Sequence, residues 1–177
     1  MACTFARTKL AIRSSAVLLL ACFASACRSK VPPLVSDLKF SDKNSERQLI
    51  AGFYSVEGDG WRWTKHRFAV ILAIPPGANT TGATLQVHLY IPDSQVKNLG
   101  ALTLSADVND TELPPETFPK GGSYTYTRTL SPGLLNQPVL PVVFTFDKAL
   151  QPKSYEAREL GAVVSEVSLT QAASPKG

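Results

Sequence analysis

The chain has 177 residues, of which 44% are hydrophobic, with 18 basic and 14 acidic side chains. This length suits one ordinary domain and a processing segment, and the hydrophobic fraction excludes a wholly disordered chain. Three basic residues and no acidic residue precede position 27, so the rest of the chain holds 15 basic and 14 acidic residues and a net charge of +1. The sequence therefore predicts no nucleic-acid partner, since such a partner requires clustered basic residues.

The N-terminus has the layout of a secretory signal. Arg7, Lys9 and Arg13 precede an apolar stretch at residues 16–24, and small residues follow it. The stretch is shorter than the ~20 residues that a helix needs to cross the hydrocarbon core, so it predicts no permanent transmembrane segment. We expect residues 1–26 to be a signal peptide.

The end of this segment, Ala-Ser-Ala-Cys at residues 24–27, resembles the lipobox of bacterial lipoproteins. The resemblance implies that Cys27 becomes the N-terminus, carries acyl chains such as palmitate, and anchors the protein in a membrane of the cell envelope. Because Arg28 rather than Asp follows, it also implies the outer membrane, on its periplasmic or surface face, if the organism is Gram-negative. Two alternatives stay open: processing at Cys22, which shortens the apolar stretch, and plain secretion without lipid.

Cysteine and histidine usage predicts neither a disulfide nor a metal site. Cys3 and Cys22 leave with the signal peptide, so Cys27 is the one thiol of the mature chain. His66 and His88 are the only imidazoles, and we expect His88 on a solvated strand face. The sequence predicts no metal and no cofactor.

The domain boundaries follow from where a hydrophobic period begins and ends. Residues 27–47 show no lasting period and predict the lipidated cysteine with a linker, although Val35, Leu38 and Phe40 can dock as a first strand. We expect residues 48–170 to form the folded domain. The small, polar residues 171–177 predict a disordered tail.

Alternation with a period of two dominates the predicted domain. It is clearest at residues 84–91, where one face carries Leu85, Val87, Leu89 and Ile91. Other strands are predicted near residues 50–56, 66–74, 101–109, 123–130, 139–147 and 162–169. Seven or eight such strands, separated by Gly, Pro and Asn turns, predict an all-β fold, an antiparallel β-sandwich. Pro141 predicts that its strand starts at an edge or a bulge.

Two segments carry more than generic strand patterning: residues 52–64, with Gly-Phe-Tyr-Ser-Val-Glu and Gly-Trp-Arg-Trp-Thr, and residues 156–167. With the strand ending in Tyr-Ile-Pro at residue 92, they resemble a bacterial galactose-binding-like β-sandwich of jelly-roll type. Such domains occur appended to glycosyltransferases and as free-standing envelope proteins. The resemblance covers about residues 50–170, with Phe53 at a place that is often Trp. It implies a jelly-roll fold, favours a sugar ligand and supplies no catalytic residue.

The segment Trp61-Arg62-Trp63 is the strongest ligand-binding candidate. A strand projects both indoles from one face and the guanidinium from the other. The indoles can stack on sugar rings, while Arg62 and Glu57 can hydrogen-bond to hydroxyls. The structural alternative places one Trp in the core and pairs Arg62 with Glu57 or Glu159.

Two further groups of residues are candidates, one for ligand binding and one for a structural role. One is an aromatic and cationic strand face that can bind a ligand or pack against a neighbouring strand, formed by Tyr124, Tyr126 and Arg128. The other, the stretch Arg158-Glu159-Leu160-Gly161, is expected to be structural. Its glycine permits a sharp turn into the last strand, and its charged pair can lock the two ends of the domain together.

The sequence predicts a binding protein rather than an enzyme, with no catalytic residues. It has no Gly-x-Ser-x-Gly and no internal cysteine, and a hydrolase built from two of its carboxylates (Glu57, Asp59, Asp107, Glu159) is the weakest hypothesis. The preferred function is a lipid-anchored module that binds a glycan or another envelope component. The alternative is a structural or assembly lipoprotein that contacts an envelope protein without binding sugar. Solvent-facing indoles favour the first function and fully buried ones the second.

Overall fold

The computed structural model describes residues 32–173; the predicted signal peptide, Cys22, Cys27 and the last four residues of the predicted tail lie outside them. The described part forms nine strands: β1 (Asp37–Lys39), β2 (Leu49–Phe53), β3 (Arg62–Ala73), β4 (Ala83–Ile91), β5 (Leu102–Val108), β6 (Thr111–Phe118), β7 (Gly122–Leu130), β8 (Val139–Phe146) and β9 (Val163–Gln171). It also has two short helices, α1 (Ala78–Thr81) and α2 (Asp93–Leu99), and 3₁₀ turns at Lys43–Gln48 and Pro132–Leu134. Within this part of the chain, no helix is long and apolar enough to cross a membrane.

The strands form two antiparallel sheets around one core. Sheet I contains β7, β4, β9 and β1, and sheet II contains β6, β5, β8, β3 and β2. The first two residues of β3 pair with β9, while its residues 67–73 pair with β8, so this strand joins the sheets. The prediction of an all-β antiparallel β-sandwich of jelly-roll type is confirmed, with nine strands rather than seven or eight.

The environment of Pro141 agrees with its expected place at an edge. β8 pairs with β3 along its whole length from Val139 to Thr145, but its pairing with β5 ends at Val142. Pro141 therefore lies just beyond the end of β5, where one side of the strand has no partner. A residue without an N–H is tolerated there because no ladder hydrogen bond is lost on that side.

The sequence did not predict β6 or α2. β6 contains Pro114 and Pro115, which interrupt the strand pattern. The two prolines are tolerated because β6 is an edge strand that pairs with β5 alone. The turn between these strands places Asn109 and Asp110 at φ values of 50° and 60°, the left-handed conformation of a tight hairpin. α2 follows Pro92, where the sequence predicted only a turn at residues 92–94.

The folded unit begins upstream of residue 48, inside the predicted linker. Leu38 of β1 and Phe40 are each 1% exposed, and β1 pairs with β9. Phe40 packs against Phe53 at a ring-centroid distance of 5.2 Å, and Phe53 in turn packs against Phe68 at 5.4 Å. Two of the three residues of the predicted first strand, Leu38 and Phe40, thus belong to the core, whereas Val35 is 44% exposed. At the other end, Gln171 still belongs to β9 rather than to a tail.

A buried glutamine fixes this N-terminal segment to the sandwich. Gln48 is 3% exposed, and its side-chain oxygen accepts a hydrogen bond from the Val35 N–H at 2.8 Å. Its amide group donates to the carbonyl oxygens of Val35, at 2.9 Å, and of Ile71 in β3, at 2.7 Å. One side chain therefore satisfies three main-chain groups from two distant segments.

Tyr126 and Arg128 close the gap between the edge strands β6 and β7. Tyr126 is fully buried, and its hydroxyl donates to the carbonyl oxygen of Pro114 at 3.2 Å. The same carbonyl accepts from Nε of Arg128 at 2.6 Å, and Nη1 of Arg128 pairs with Glu116 at 3.0 Å. The guanidinium lies 4.0 Å from the Tyr126 ring centroid. The sequence left two possibilities for this strand face, ligand binding or packing against a neighbouring strand. Tyr126 and Arg128 pack against the neighbouring strand.

Burial of Tyr126 predicts a loss of stability in alkali. Desolvation raises the pKa of its phenol above the ordinary value of 10.0, although Arg128 opposes that rise. A group whose pKa is higher in the folded state stabilises the fold fully below pH 10, and that contribution is lost as the pH rises towards the folded-state pKa. We therefore expect the melting temperature of the wild type to fall more steeply above pH 10 than that of Tyr126→Phe. Parallel melting curves against pH would contradict this prediction.

Candidate functional site

A cleft of about 750 Å³ opens on the outer face of sheet I. It lies where β3 and β9 begin, beside the end of β4 and the start of β7. Its lining consists of Trp61, Trp63, His88, Leu89, Tyr90, Pro92, Ser123, Tyr124, Thr125, Val163 and Ser165. The lining is mainly apolar, carries several hydroxyl groups and includes no Asp, Glu, Lys or Arg.

Strand pairing brings these residues together from four distant parts of the sequence. Trp63 pairs with Val163, Val163 pairs with Tyr90, and Tyr90 pairs with Ser123. Neighbouring strands lie ~4.8 Å apart, so this row of residues spans ~14 Å across the sheet. The cleft floor is thus a cross-strand row with an indole at one end and a hydroxyl at the other.

A tight turn positions Trp61. The Glu57 N–H donates to the Trp61 carbonyl at 2.8 Å, and the Trp61 N–H donates to the Glu57 carbonyl at 3.2 Å. Gly58 has φ +50°, and a Cβ at this residue would lie 2.5 Å from Nε1 of Trp61. The indole therefore packs directly on the turn. Trp61 and Trp63 are both half-buried and line the same cleft, so neither indole is enclosed in the core.

Arg62 projects from the opposite face, as alternation predicts, and is 4% exposed. Its Nη2 lies 2.6 Å from a carboxylate oxygen of Glu46, and its Nη1 donates to the Tyr54 carbonyl at 3.0 Å. The partner is Glu46 rather than Glu57 or Glu159, because the 3₁₀ turn that carries Glu46 folds onto the domain. These two contacts of Arg62 anchor the segment that carries Trp61 and Trp63.

Glu57 also has a structural partner. One of its carboxylate oxygens lies 2.7 Å from Nη1 of Arg158, and Arg158 makes two further bonds of 3.0 Å to Glu156. These hydrogen bonds raise the pKa of Arg158 and lower the pKa of Glu156. The ion pairs tie the turn that carries Trp61 to the loop before β9.

Glu159 and Gly161 hold β9 against β3. Glu159 accepts hydrogen bonds from the backbone N–H of His66, at 2.8 Å, and from its ring, and these bonds lower the pKa of the carboxyl. The Gly161 N–H donates to the Thr64 carbonyl at 2.7 Å, and a Cβ at Gly161 would lie 2.4 Å from the Lys65 carbonyl oxygen. The glycine is thus required by close approach of two backbones rather than by a left-handed turn.

Gln95 of α2, which no sequence pattern singled out, supports the same junction. It is fully buried, and its side-chain amide donates to the carbonyl oxygens of Leu160, at 2.9 Å, and Gly161, at 2.5 Å. The short helix after β4 therefore holds the backbone that leads into the cleft strand β9.

The polar side of the cleft is built from β4, β7 and a bulge in β9. Nδ1 of His88 lies 3.1 Å from the Thr125 hydroxyl on the paired strand. In β9 the pairing shifts so that Val164 faces Leu89 while Glu166 faces His88. Ser165 is the extra residue of the bulge, and the bulge turns its side chain into the cleft lining.

Three of the seven predicted ligand-binding residues line the cleft: Trp61, Trp63 and Tyr124. The ring of Tyr124 packs against Phe118 at 4.7 Å and its hydroxyl donates to the Lys120 carbonyl, so this residue lies at the margin. The other four, engaged in the contacts above, are not among the lining residues: Glu57, Arg62, Tyr126 and Arg128. The sequence missed His88, Tyr90, Ser123, Thr125 and Ser165, for which the only signal was their place on the polar faces of alternating strands.

Within residues 32–173, no cluster of three or more His, Cys, Asp and Glu side chains is arranged to hold a metal ion. The groups that the cleft offers to a ligand are aromatic rings, hydroxyls and an imidazole.

No protein-family model matches the chain, and no curated protein sequence matches it. Solved structures with a similar fold include a family 35 carbohydrate binding module from an environmental isolate, with 14% identity and a TM-score of 0.47, over 78% of this chain and 98% of that module. A CBM4 structure gives 10% identity and a TM-score of 0.36, over 71% and 77%. An exo-β-1,3-galactanase from Phanerochaete chrysosporium gives 10% identity and a TM-score of 0.41, and the match covers 77% of this chain but 29% of the galactanase. These similarities concern the fold alone.

Proposed function

We propose that this protein is a lipid-anchored, non-catalytic glycan-binding module whose binding site is the cleft at Trp61 and Trp63. The observation that carries the proposal is that both indoles, partly exposed, line one open cleft whose other polar groups are hydroxyls and an imidazole. Clefts that bind small ligands combine apolar and aromatic walls with a few placed polar groups.

The lining suits the chemistry of a sugar. A pyranose ring has C–H groups on its faces, which pack on flat aromatic rings, and hydroxyls on its edge. Thr125, Ser123 and Ser165 offer hydroxyls that both donate and accept hydrogen bonds, and His88 adds a ring nitrogen. The aromatic groups supply contact area and the polar groups supply orientation.

Two features of the cleft support binding without hydrolysis. Glycosidases of the usual kind flank the scissile bond with two carboxyl groups ~5–10 Å apart. The lining contains no Asp or Glu: Asp59, close to the indoles in sequence, is not among the lining residues, and Glu46 and Glu57 pair with Arg62 and Arg158. A bound glycan would therefore meet no acid and nucleophile pair in this cleft.

The anchor in this proposal is lipid on Cys27, in a membrane of the bacterial envelope, and in the outer membrane if the organism is Gram-negative. The chain joins the domain at Val35, whose carbonyl accepts from the N–H of Ala73, the last residue of β3. The cleft lies at the first residues of β3, and twelve residues of strand span ~36 Å. The chain on the N-terminal side therefore enters the domain far from the cleft, which supports an accessible cleft.

The glycan-binding proposal is tested on a glycan array with the full-length protein, Trp63→Ala and Tyr155→Ala. Tyr155 is 82% exposed and lies outside the cleft, so its variant is the matched aromatic control. We expect the wild type and the control to bind the same glycans, and Trp63→Ala to bind them roughly 30-fold more weakly, because truncating a Trp that anchors a ligand costs ~2 kcal/mol or more of binding free energy.

Two results would contradict the proposal in different ways. Equal binding by all three proteins would remove the cleft as the site. Absence of glycan binding by the wild type would leave the structural or assembly lipoprotein as the better hypothesis.

The lipid is tested separately, by growing cells with labelled palmitate. We expect label in the wild type and none in Cys27→Ser. Label in both proteins would move the attachment to another residue, and label in neither would favour plain secretion.

A further inference from the structure

A second depression, of about 330 Å³, lies on the same outer face of sheet I as the cleft. Its lining includes side chains of β4 and β9 that follow directly on from the cleft residues: Gln86, Glu166, Ser168 and Thr170. We call these four residues the polar strip. The nitrogen of the Gln86 amide lies 3.4 Å from the Thr127 hydroxyl on β7, so β7 extends the same polar surface.

The cleft and the polar strip are continuous through strand register. His88 lines the cleft and pairs with Glu166, and the next outward pair along the same two strands is Gln86 with Ser168. The inward-facing pair Val87 with Val167 lies between these two outward pairs, as strand alternation requires, so the two depressions are adjacent on the outer face. From Tyr90 to Thr84 the outer face of β4 runs ~20 Å at ~3.3 Å per residue.

The two ends of this surface differ in chemistry. The cleft end has the indoles and Tyr90, whereas the polar strip has an amide, hydroxyls and a carboxylate. A single sugar ring fills only the aromatic end. A surface that changes from stacking groups to hydrogen-bonding groups along one line suits a chain of linked sugars, stacked at one end and bonded through its hydroxyls at the other.

The charges around the second depression distinguish neutral polysaccharide ligands from acidic ones. Asp37 and Glu166 both line the second depression, and Lys39 lies 3.9 Å from the Asp37 carboxylate and pairs across the strands with Glu166. Two carboxylates against this one ammonium leave the depression negative. Carboxylates accept hydrogen bonds from neutral hydroxyls, but they repel the carboxylates of an acidic chain.

We infer that the ligand is an uncharged polysaccharide chain that lies along β4 and β9, with its aromatic contact in the cleft and further sugar residues on the polar strip. This inference rests on the proposed function and specifies its ligand. It predicts that affinity grows with the number of linked sugars and that the growth depends on the strip.

The experiment uses an array of β-1,4-glucan, β-1,4-mannan, β-1,4-xylan and β-1,3-glucan, each as dimers and hexamers, together with oligogalacturonates as acidic chains. The full-length wild type is compared with Gln86→Ala and with Gln137→Ala, an exposed glutamine outside both depressions. Gln86 points outward on β4, so its removal leaves the core unchanged, and equal melting temperatures of the three proteins verify this.

We expect the wild type and Gln137→Ala to bind the hexamer of at least one neutral backbone at least tenfold more tightly than its dimer. In Gln86→Ala we expect this difference to shrink to less than threefold, with dimer binding unchanged. A dimer that binds as tightly as the hexamer, or a preference for oligogalacturonates, would overturn the inference and leave the glycan-binding cleft intact. Absence of binding to every probe would overturn the inference and the proposed function together.

Discussion

Replacing Gly161 with alanine is expected to lower the free energy of unfolding by about 3 kcal/mol or more. The new Cβ would lie 2.4 Å from the Lys65 carbonyl oxygen and 2.8 Å from Oγ1 of Thr64, so the backbones of β9 and β3 must move apart. That movement strains the 2.7 Å hydrogen bond from the Gly161 N–H to the Thr64 carbonyl. Overpacking of this kind costs ~1–3 kcal/mol, and weakening a buried hydrogen bond adds ~1 kcal/mol.

The measurement is urea-induced unfolding followed by tryptophan fluorescence. Gly133→Ala is the matched control, because no atom lies within 4 Å of a Cβ at that position. We expect its stability to stay within about 0.5 kcal/mol of the wild type or to rise slightly. Equal stability of the two variants would show that the β3 and β9 backbones have room for a methyl group.

The same substitution also has a functional consequence. Ala162 and Thr64 exchange backbone and side-chain hydrogen bonds of 2.8–3.2 Å, and the next pair along the strands is Trp63 with Val163. A shift at Gly161 therefore reaches the aromatic end of the cleft within two residues. This is how a glycine outside the lining can affect the binding face.

The sheet architecture could be predicted from the sequence because strand alternation is a local signal. Leu85 to Ile91 alternate over a full strand, and each of the predicted strands is present. β6 was missed because Pro114 and Pro115 contradict the local pattern, and only the absence of a second neighbour at the sheet edge makes them acceptable. Leu38 and Phe40 were placed in a linker because a three-residue strand is too short to show a period.

The site could be predicted in part, for the same reason. Alternation alone places Trp61 and Trp63 on one face and Arg62 on the other, and the structure has this arrangement. The polar side of the cleft depends on which strands are neighbours: His88 meets Thr125 across 37 positions of sequence, and Ser165 enters the lining through a bulge. Neither the neighbours of a strand nor the place of a bulge follows from periodicity, so these residues could not be selected in advance.

The partners of the charged side chains were equally non-local. Arg62 and Glu46 come together because the predicted linker folds as a 3₁₀ turn, and Glu57 meets Arg158 across 101 positions. The expectation that Arg158 and Glu159 lock the two ends of the domain together stays a prediction; in the structure Arg158 pairs with Glu57 and Glu156, and Glu159 bonds to His66. Charge type can be read from a sequence, whereas charge pairing depends on topology.

Replacing Gln48 with alanine is expected to lower the free energy of unfolding by about 3 kcal/mol. The side chain is 3% exposed and makes hydrogen bonds of 2.7–2.9 Å to the N–H and carbonyl of Val35 and the carbonyl of Ile71. Its loss leaves three main-chain groups without partners in a site that water enters poorly, at ~1 kcal/mol or more each.

Urea unfolding of Gln48→Ala, with exposed Gln137→Ala as control, measures the size of this effect, and Gln48→Glu tests its cause. The glutamate keeps the acceptor for the Val35 N–H but loses both donated bonds and places a negative charge beside two carbonyl oxygens. If hydrogen bonding is the cause, Gln48→Glu is at least as unstable as the alanine variant; if side-chain volume is the cause, it retains most of the wild-type stability.

Because Gln48 holds the chain where it joins the domain, at the end of β3 distant from Trp63, hydrogen exchange in the Gln48→Ala variant should increase first at residues 35–39. A uniform increase over the whole sandwich would contradict the view that this glutamine acts as a local clamp on the segment leading to the proposed anchor.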